Sequence, residues 1–229
     1  MYLSRVFLNP MRRETRNWSA SPQRMHAAVL HGFAEQSTAN RPLWRLDRGA
    51  HRYELYVVSA DRPDLSHLVE LGGWSTHVAD IADYRPFLDS IRPGRRYLFR
   101  LRANPVRSTK DRVDPGGRGR VVNVGSREKQ ESWLLGRSGS WGFEVPDNAA
   151  DPHGAEGVVL GRRNLVLTER ETLRFSKLAD DSRLQVTLAT AQFDGLLEVT
   201  DADRLREVLV GGVGRAKAYG CGLLTLAPV

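Results

Sequence analysis

Two Gly-apolar-Gly triplets, Gly212-Val213-Gly214 and Gly220-Cys221-Gly222, stand near the C-terminal end with Arg215, Lys217 and Tyr219 between them. Glycine lets a backbone approach a ligand closely, and cations inside such a loop suit phosphate oxygens. The plainer reading is a tight turn between a helix and a last strand. Two nucleotide-loop chemistries do not fit. Walker A needs Gly-Lys followed by Ser or Thr, and here Lys217 precedes Ala218. A dinucleotide fingerprint must open a βαβ unit, and too little chain follows this loop. A second group is His26, since an imidazole titrates near neutrality and serves as base or acid. His31 and Gln23 share its segment.

The elements that must position these groups can be read from pattern. Residues 2 to 8 alternate as a strand ended by Asn9-Pro10. Ser21-Pro22 starts a helix whose apolar face is Met25, Ala28, Val29, Gly32 and Phe33. His26 lies about 100° from Met25 on an ideal helix, at the flank of that face, and about 140° from His31. A lone helical histidine is more often structural than catalytic. Strands are expected over 43–47, 52–60 and 95–103, with a short helix over 64–71. That is the ferredoxin-like βαββαβ order. The stretch 106–125, centred on Asp114-Pro115-Gly116-Gly117, reads as linker or mobile loop. A helix over 128–135, a strand over 141–145, a hairpin of 157–167 with 173–177, a long strand bent near Asp194-Gly195, a helix capped by Asp201 and a last strand over 223–226 follow. The fold class is α+β: two tandem domains, 1–107 and 126–229, joined by 108–125.

Composition narrows the partners. Lys+Arg is 34 against 27 Asp+Glu, a net charge of +7, and only Lys110, Lys129, Lys177 and Lys217 are lysines. Arginine's planar fork suits phosphates and stacked bases, so nucleic acid is the expected class of partner, although GC-rich codons also favour arginine. The acidic pairs Asp61/Asp64, Asp80/Asp83 and Asp180/Asp181 are scattered, and Asp201/Asp203 fit helix capping. With one cysteine and six dispersed histidines, no metal and no cofactor are expected. A single cysteine, no long apolar run and no signal peptide to remove point to the cytoplasm, with no membrane span.

The chain resembles the CasE family of CRISPR RNA-processing endoribonucleases of type I-E Cascade. Met1-Tyr2-Leu3-Ser4-Arg5-Val6, Gln23-Arg24-Met25-His26, Phe99-Arg100-Leu101-Arg102-Ala103-Asn104-Pro105 and the glycine loop through Leu223-Leu224 carry the resemblance, which runs over nearly the whole chain. It implies two ferredoxin-like domains and, as substrate, the hairpin of each CRISPR repeat in a precursor transcript. Cleavage falls at the 3′ base of the stem without a metal, by attack of the RNA's own 2′-hydroxyl. The enzyme then stays on the guide RNA beside other Cascade subunits, and is expected to be a monomer when free.

The resemblance also makes His26 the catalytic group. Many relatives carry tyrosine where this chain has Gln23, which can position a phosphate or hydroxyl but cannot donate a proton as an acid. His31 is the alternative second group, and Lys217 the cation for the crowded phosphate. RNA contacts are expected from Arg12, Arg13 and Arg16, from Arg100 and Arg102, from Arg162, Arg163, Arg170 and Arg174, and from Gly212, Gly214, Arg215, Gly220 and Gly222. The five tryptophans are expected in the core. The competing reading is a Cascade subunit that holds guide RNA without cutting it.

Overall fold

Two antiparallel sheets with one strand order organise the chain, whose computed structural model describes residues 1–34, 41–74, 76–113, 119–147, 163–179 and 182–229. The first half comprises β1 (Tyr2–Leu8), α1 (Arg13–Ser19), α2 (Pro22–Leu30), β2 (Leu43–Arg48), β3 (Tyr53–Ser59), α3 (Ser66–Gly72), β4 (Asp80–Asp83) and α4 (Arg85–Ser90). The second comprises β5 (Arg96–Ala103), β6 (Val106–Val113), β7 (Gly119–Asn123), α5 (Arg127–Ser138), β8 (Phe143–Glu144), β9 (Leu165–Ala179), β10 (Ser182–Val199), α6 (Ala202–Gly211) and β11 (Leu224–Pro228). Single 3-10 turns lie at Gly139–Trp141 and Lys217–Tyr219.

The first sheet runs β2-β3-β1-β4; the second runs β11-β5-β10, with β9 and β8 also paired to β10. Counting β5, β9, β10 and β11 as strands one to four, both sheets have the order 4-1-3-2 of the ferredoxin-like fold.

Several sequence expectations are corrected by the pairing. The strand at 96–103 does not close the first sheet: it lies between β10 and β11 in the second. The first sheet is closed by Asp80–Asp83, a polar edge strand on β1 too short to show alternation. Tyr97, Phe99 and Leu101 alternate strongly because β5 is central and packs one face into the core. The expected linker instead contains a two-stranded ribbon, β6 with β7, its Asp114–Gly117 centre lying outside the described residues. The expected hairpin of 157–167 with 173–177 is replaced by β9 with β10, because Leu165–Ala179 is one unbroken strand. Most of 157–167 lies outside the described residues.

Strand β2 explains how the halves join. Trp44 and Leu46 pack into a cluster with Met25 and Val29 of α2 and Leu68 of α3. Leu43 packs into the core of the second half with Leu224, Leu209 and Val213. Both faces of β2 are therefore covered, so it reads as a continuous buried run rather than an alternating one.

Arg45 follows Leu43 on the second-half face, with only 2% of its surface exposed. Its Nε and Nη2 donate to the two Asp47 carboxylate oxygens at 2.7 and 3.0 Å. Its Nη1 reaches across to the Arg100 carbonyl at 3.0 Å, the Leu223 carbonyl at 3.3 Å and the Thr225 hydroxyl at 2.8 Å. Truncating one member of a buried, fully hydrogen-bonded ion pair costs about 3–5 kcal/mol. Arg45→Ala is accordingly expected to lose about 3 kcal/mol of stability in urea denaturation; an unchanged midpoint would show that the guanidinium does not hold the two sheets together.

Candidate active site

The helix α2 begins where the sequence marks it, with Ser21 in extended conformation before Pro22. Pro22, Met25 and Val29 are buried, which leaves His26 half-buried at the edge of the packed face. The imidazole is held from the sheet: the Trp44 indole Nε1–H donates to His26 Nδ1 at 3.2 Å. An indole nitrogen can only donate, so the facing ring nitrogen must accept. The neutral ring therefore carries its proton on Nε2, the nitrogen left for a ligand. Burial, and then the nearby charge of Arg41, hold the His26 pKa below its ordinary value.

Trp44 is itself fixed by the glycine loop. Gly220 has φ +78°, and a Cβ there would fall 2.6 Å from the Trp44 ring. At Gly222, with φ +89°, a Cβ would meet the Val213 carbonyl oxygen at 2.4 Å. Gly212 and Gly214 also have positive φ. The loop thus needs glycine to close over β2, which is the turn-like reading, and by closing it brings a functional group into place. The 3-10 turn Lys217–Tyr219 packs against α2. Lys217 Nζ donates to the Gly211 carbonyl at 2.6 Å, at the C-terminal end of α6 where a cation is favoured.

His26 and Lys217 consequently line one cleft of about 540 Å³, with Arg41, Ser59, Tyr219 and the chain start at Met1 among its walls. Two remote segments of sequence meet there. Arg41 is the site residue that sequence reading missed: it belongs to no motif, and only the fold brings it beside His26.

The other expected site residues divide. Gln23 lines a neighbouring groove of about 730 Å³ with Arg24, Arg174, Ser176 and Gln185. His31 caps α2 on the far side, its ring 4.9 Å from His67, and does not join the cleft. Helix geometry separates the two histidines, and no distortion brings them together. Arg100 is bonded to Asp194 at 2.7 and 2.8 Å, and Arg102 is buried against Glu171 at 2.5 Å. Arg102 serves the interior of the protein, whereas Arg100 is paired but partly exposed at the sheet surface. Arg163 pairs with Asp147, and Arg170 donates to the Gly125 carbonyl. Arg174 and Arg215 are exposed, as are Arg12, Arg13 and Arg16 around the start of α1. Arg162 lies outside the described residues. Cys221 is fully buried and its thiol is pushed up to about 12, which makes it no nucleophile.

Among the described residues, no three His, Cys, Asp or Glu side chains gather to hold a metal ion, and no helix is long and apolar enough to cross a membrane.

A model of the family described as CRISPR associated protein matches residues 1–228. The CRISPR-associated endoribonuclease Cse3 of Thermus thermophilus is 29% identical over the full length of both chains. The Cascade subunit CasE of Escherichia coli is also 29% identical, again over both full lengths. The chain belongs to the CasE family of CRISPR associated proteins. A Thermus thermophilus Cse3 structure bound to an RNA representing a pre-cleavage complex superposes with a TM-score of 0.75 at 26% identity, covering 99% of this CasE-family chain and 98% of the other.

Two outcomes are expected for this site. In an NMR titration of the free protein, the His26 midpoint falls below the ordinary value of 6.5, because burial and Arg41 both oppose the charged ring. Gly220→Ala places a methyl group in the Trp44 ring at a backbone angle L-residues avoid, a cost of about 1–3 kcal/mol that thermal unfolding will register. It should also shift the His26 resonances, which an independent loop would leave in place.

Proposed function

We propose that this protein is a metal-independent endoribonuclease that cuts CRISPR precursor transcripts at the 3′ base of the repeat hairpin. The single observation that carries this reading is the meeting of His26 and Lys217 in one cleft, built from the two halves of a chain whose full-length relative is named an endoribonuclease.

The chemistry the cleft can support needs only the RNA and these side chains. The 2′-oxygen attacks the adjacent phosphorus as the bond to the 5′-oxygen breaks, leaving a 2′,3′-cyclic phosphate and a 5′-hydroxyl. Over the reaction one proton leaves the 2′-hydroxyl and one arrives at the 5′-oxygen. The 2′-hydroxyl proton passes to solvent water, and His26, protonated at Nδ1 with loss of the Trp44 hydrogen bond, passes its Nε2 proton to the leaving 5′-oxygen. Lys217 stabilises the charge that builds on the phosphoryl oxygens. Gln23, Arg24 and Arg174 border the adjacent groove and suit the RNA on either side of the cut.

The stem is held mainly by shape and backbone, since A-form major grooves are narrow. The solvent-facing arginines, Arg174 and Arg215 with Arg12, Arg13 and Arg16, are the first candidates for those contacts; Arg100 is partly exposed but already paired with Asp194, and Arg102 is buried. We place the enzyme in the cytoplasm, a monomer when free, with its product retained inside Cascade. One relative is named a Cascade subunit, which supports that assembly.

One observation favours a non-cleaving RNA subunit: Gln23 stands in the neighbouring groove and cannot replace a proton donor. Incubating labelled repeat hairpin with wild type and His26→Ala in excess EDTA separates the readings. The wild type should cut and leave a cyclic phosphate, while the variant binds and cuts at least about 100-fold more slowly. Tight binding without cutting by both proteins would hand the function to the non-cleaving subunit.

A further inference from the structure

Arg41 stands apart from the other arginines on and around β2. Arg45, Arg48, Arg100 and Arg102 each have an acidic partner, at 2.7, 3.3, 2.7 and 2.5 Å. Among the described residues no carboxylate pairs with Arg41, which is exposed on the wall of the cleft that holds His26 and Lys217. Its backbone is not loose. Pro42 follows it, which confines the preceding residue to extended conformations, and Pro42 and Leu43 are both buried. The guanidinium is therefore presented from an anchored segment.

The reaction supplies a reason for a third cation. As the 2′-oxygen adds, negative charge grows on two non-bridging oxygens at once. Lys217 is a single point charge already donating to the Gly211 carbonyl. Burial and the charge of Arg41 both disfavour a positive His26, so the imidazole is a poor standing cation for those oxygens. The Trp44 indole that touches the imidazole, and Tyr219 and Met1 elsewhere on the cleft wall, offer no planar fork. Arginine offers two parallel N–H donors that match two phosphoryl oxygens, and its charge already acts at the His26 ring.

We propose that Arg41 is a catalytic residue whose guanidinium binds the non-bridging oxygens of the scissile phosphate and stabilises them as the 2′-oxygen attacks. This rests on the endoribonuclease reading of the cleft.

The test is single-turnover cleavage of labelled repeat hairpin by the full chain, in EDTA, with binding measured separately. Wild type, Arg41→Ala, Arg41→Lys and His26→Ala are compared. Because Arg41 is exposed, both its variants should fold as the wild type does. Arg41→Ala should lower the rate at saturating protein by about 100-fold, with Kd changed by less than about threefold. Arg41→Lys should recover about a tenth of the wild-type rate, since charge returns without the fork. A saturated rate within about twofold of wild type in Arg41→Ala, while His26→Ala is inactive, overturns the role of Arg41 alone. Weaker binding with an unchanged saturated rate also overturns it, because the contact would then lie away from the scissile bond. Equal cleavage by wild type and His26→Ala removes the reading of the cleft, and this proposal with it.

Discussion

The guanidinium of Arg45 lies in the seam between the two sheets, and the remainder of the site depends on it. One edge of the fork is closed on Asp47 within its own strand; the other reaches backbone carbonyls and a hydroxyl of β5 and β11. Asp47 in turn accepts from Arg100 at 3.3 Å, and Arg100 holds Asp194. Taking such charges from water is expensive, and apolar replacements can stabilise as well. What the network contributes is therefore register: only one placement of β2 against β5 and β11 satisfies every donor. That placement is what sets a helix of the first half beside a loop of the second.

From the seam a short line of contacts runs to the cleft. Leu43 enters the second half's core on one face of β2, and Trp44 enters the first half's core on the other. The glycine loop closes on the Trp44 ring, and the Trp44 indole holds the imidazole of His26. Gly212, Gly220 and Gly222 thus serve close packing, while Lys217 stands on the cleft wall. The residues leading into β2 bring Arg41 to the cleft wall, and the strand itself brings Arg45 to the seam. One strand and its entry segment position both the interior charge and the exposed one.

Much of this was legible in the residues, for identifiable reasons. Ser21-Pro22 and the apolar spacing of Met25 and Val29 fix a helix by local chemistry alone, so α2 and the marginal exposure of His26 follow from the sequence. The paired glycines stand out because backbone angles with positive φ leave little choice of residue. Strand partners are decided by long-range packing, and there the pattern misleads. Arg96–Ala103 follows the first half in sequence yet pairs in the second sheet, and Asp80–Asp83 is an edge strand too short for Ile81 and Ala82 to show a period. Arginines were the least legible. Arg100 and Arg102 look like RNA contacts by type and alternation, but their carboxylate partners lie more than 65 residues away in sequence and only the fold reveals them. Arg41 carries no signal at all before β2 is placed.

The most direct measurement is a crystal structure of the protein bound to its repeat hairpin with a 2′-deoxy nucleotide at the scissile position, which removes the nucleophile and leaves the phosphate. The scissile phosphate should lie between His26 Nε2 and Lys217, with the Trp44 bond to Nδ1 intact. A scissile phosphate seated elsewhere, with the cleft empty of RNA, would contradict the account at its centre.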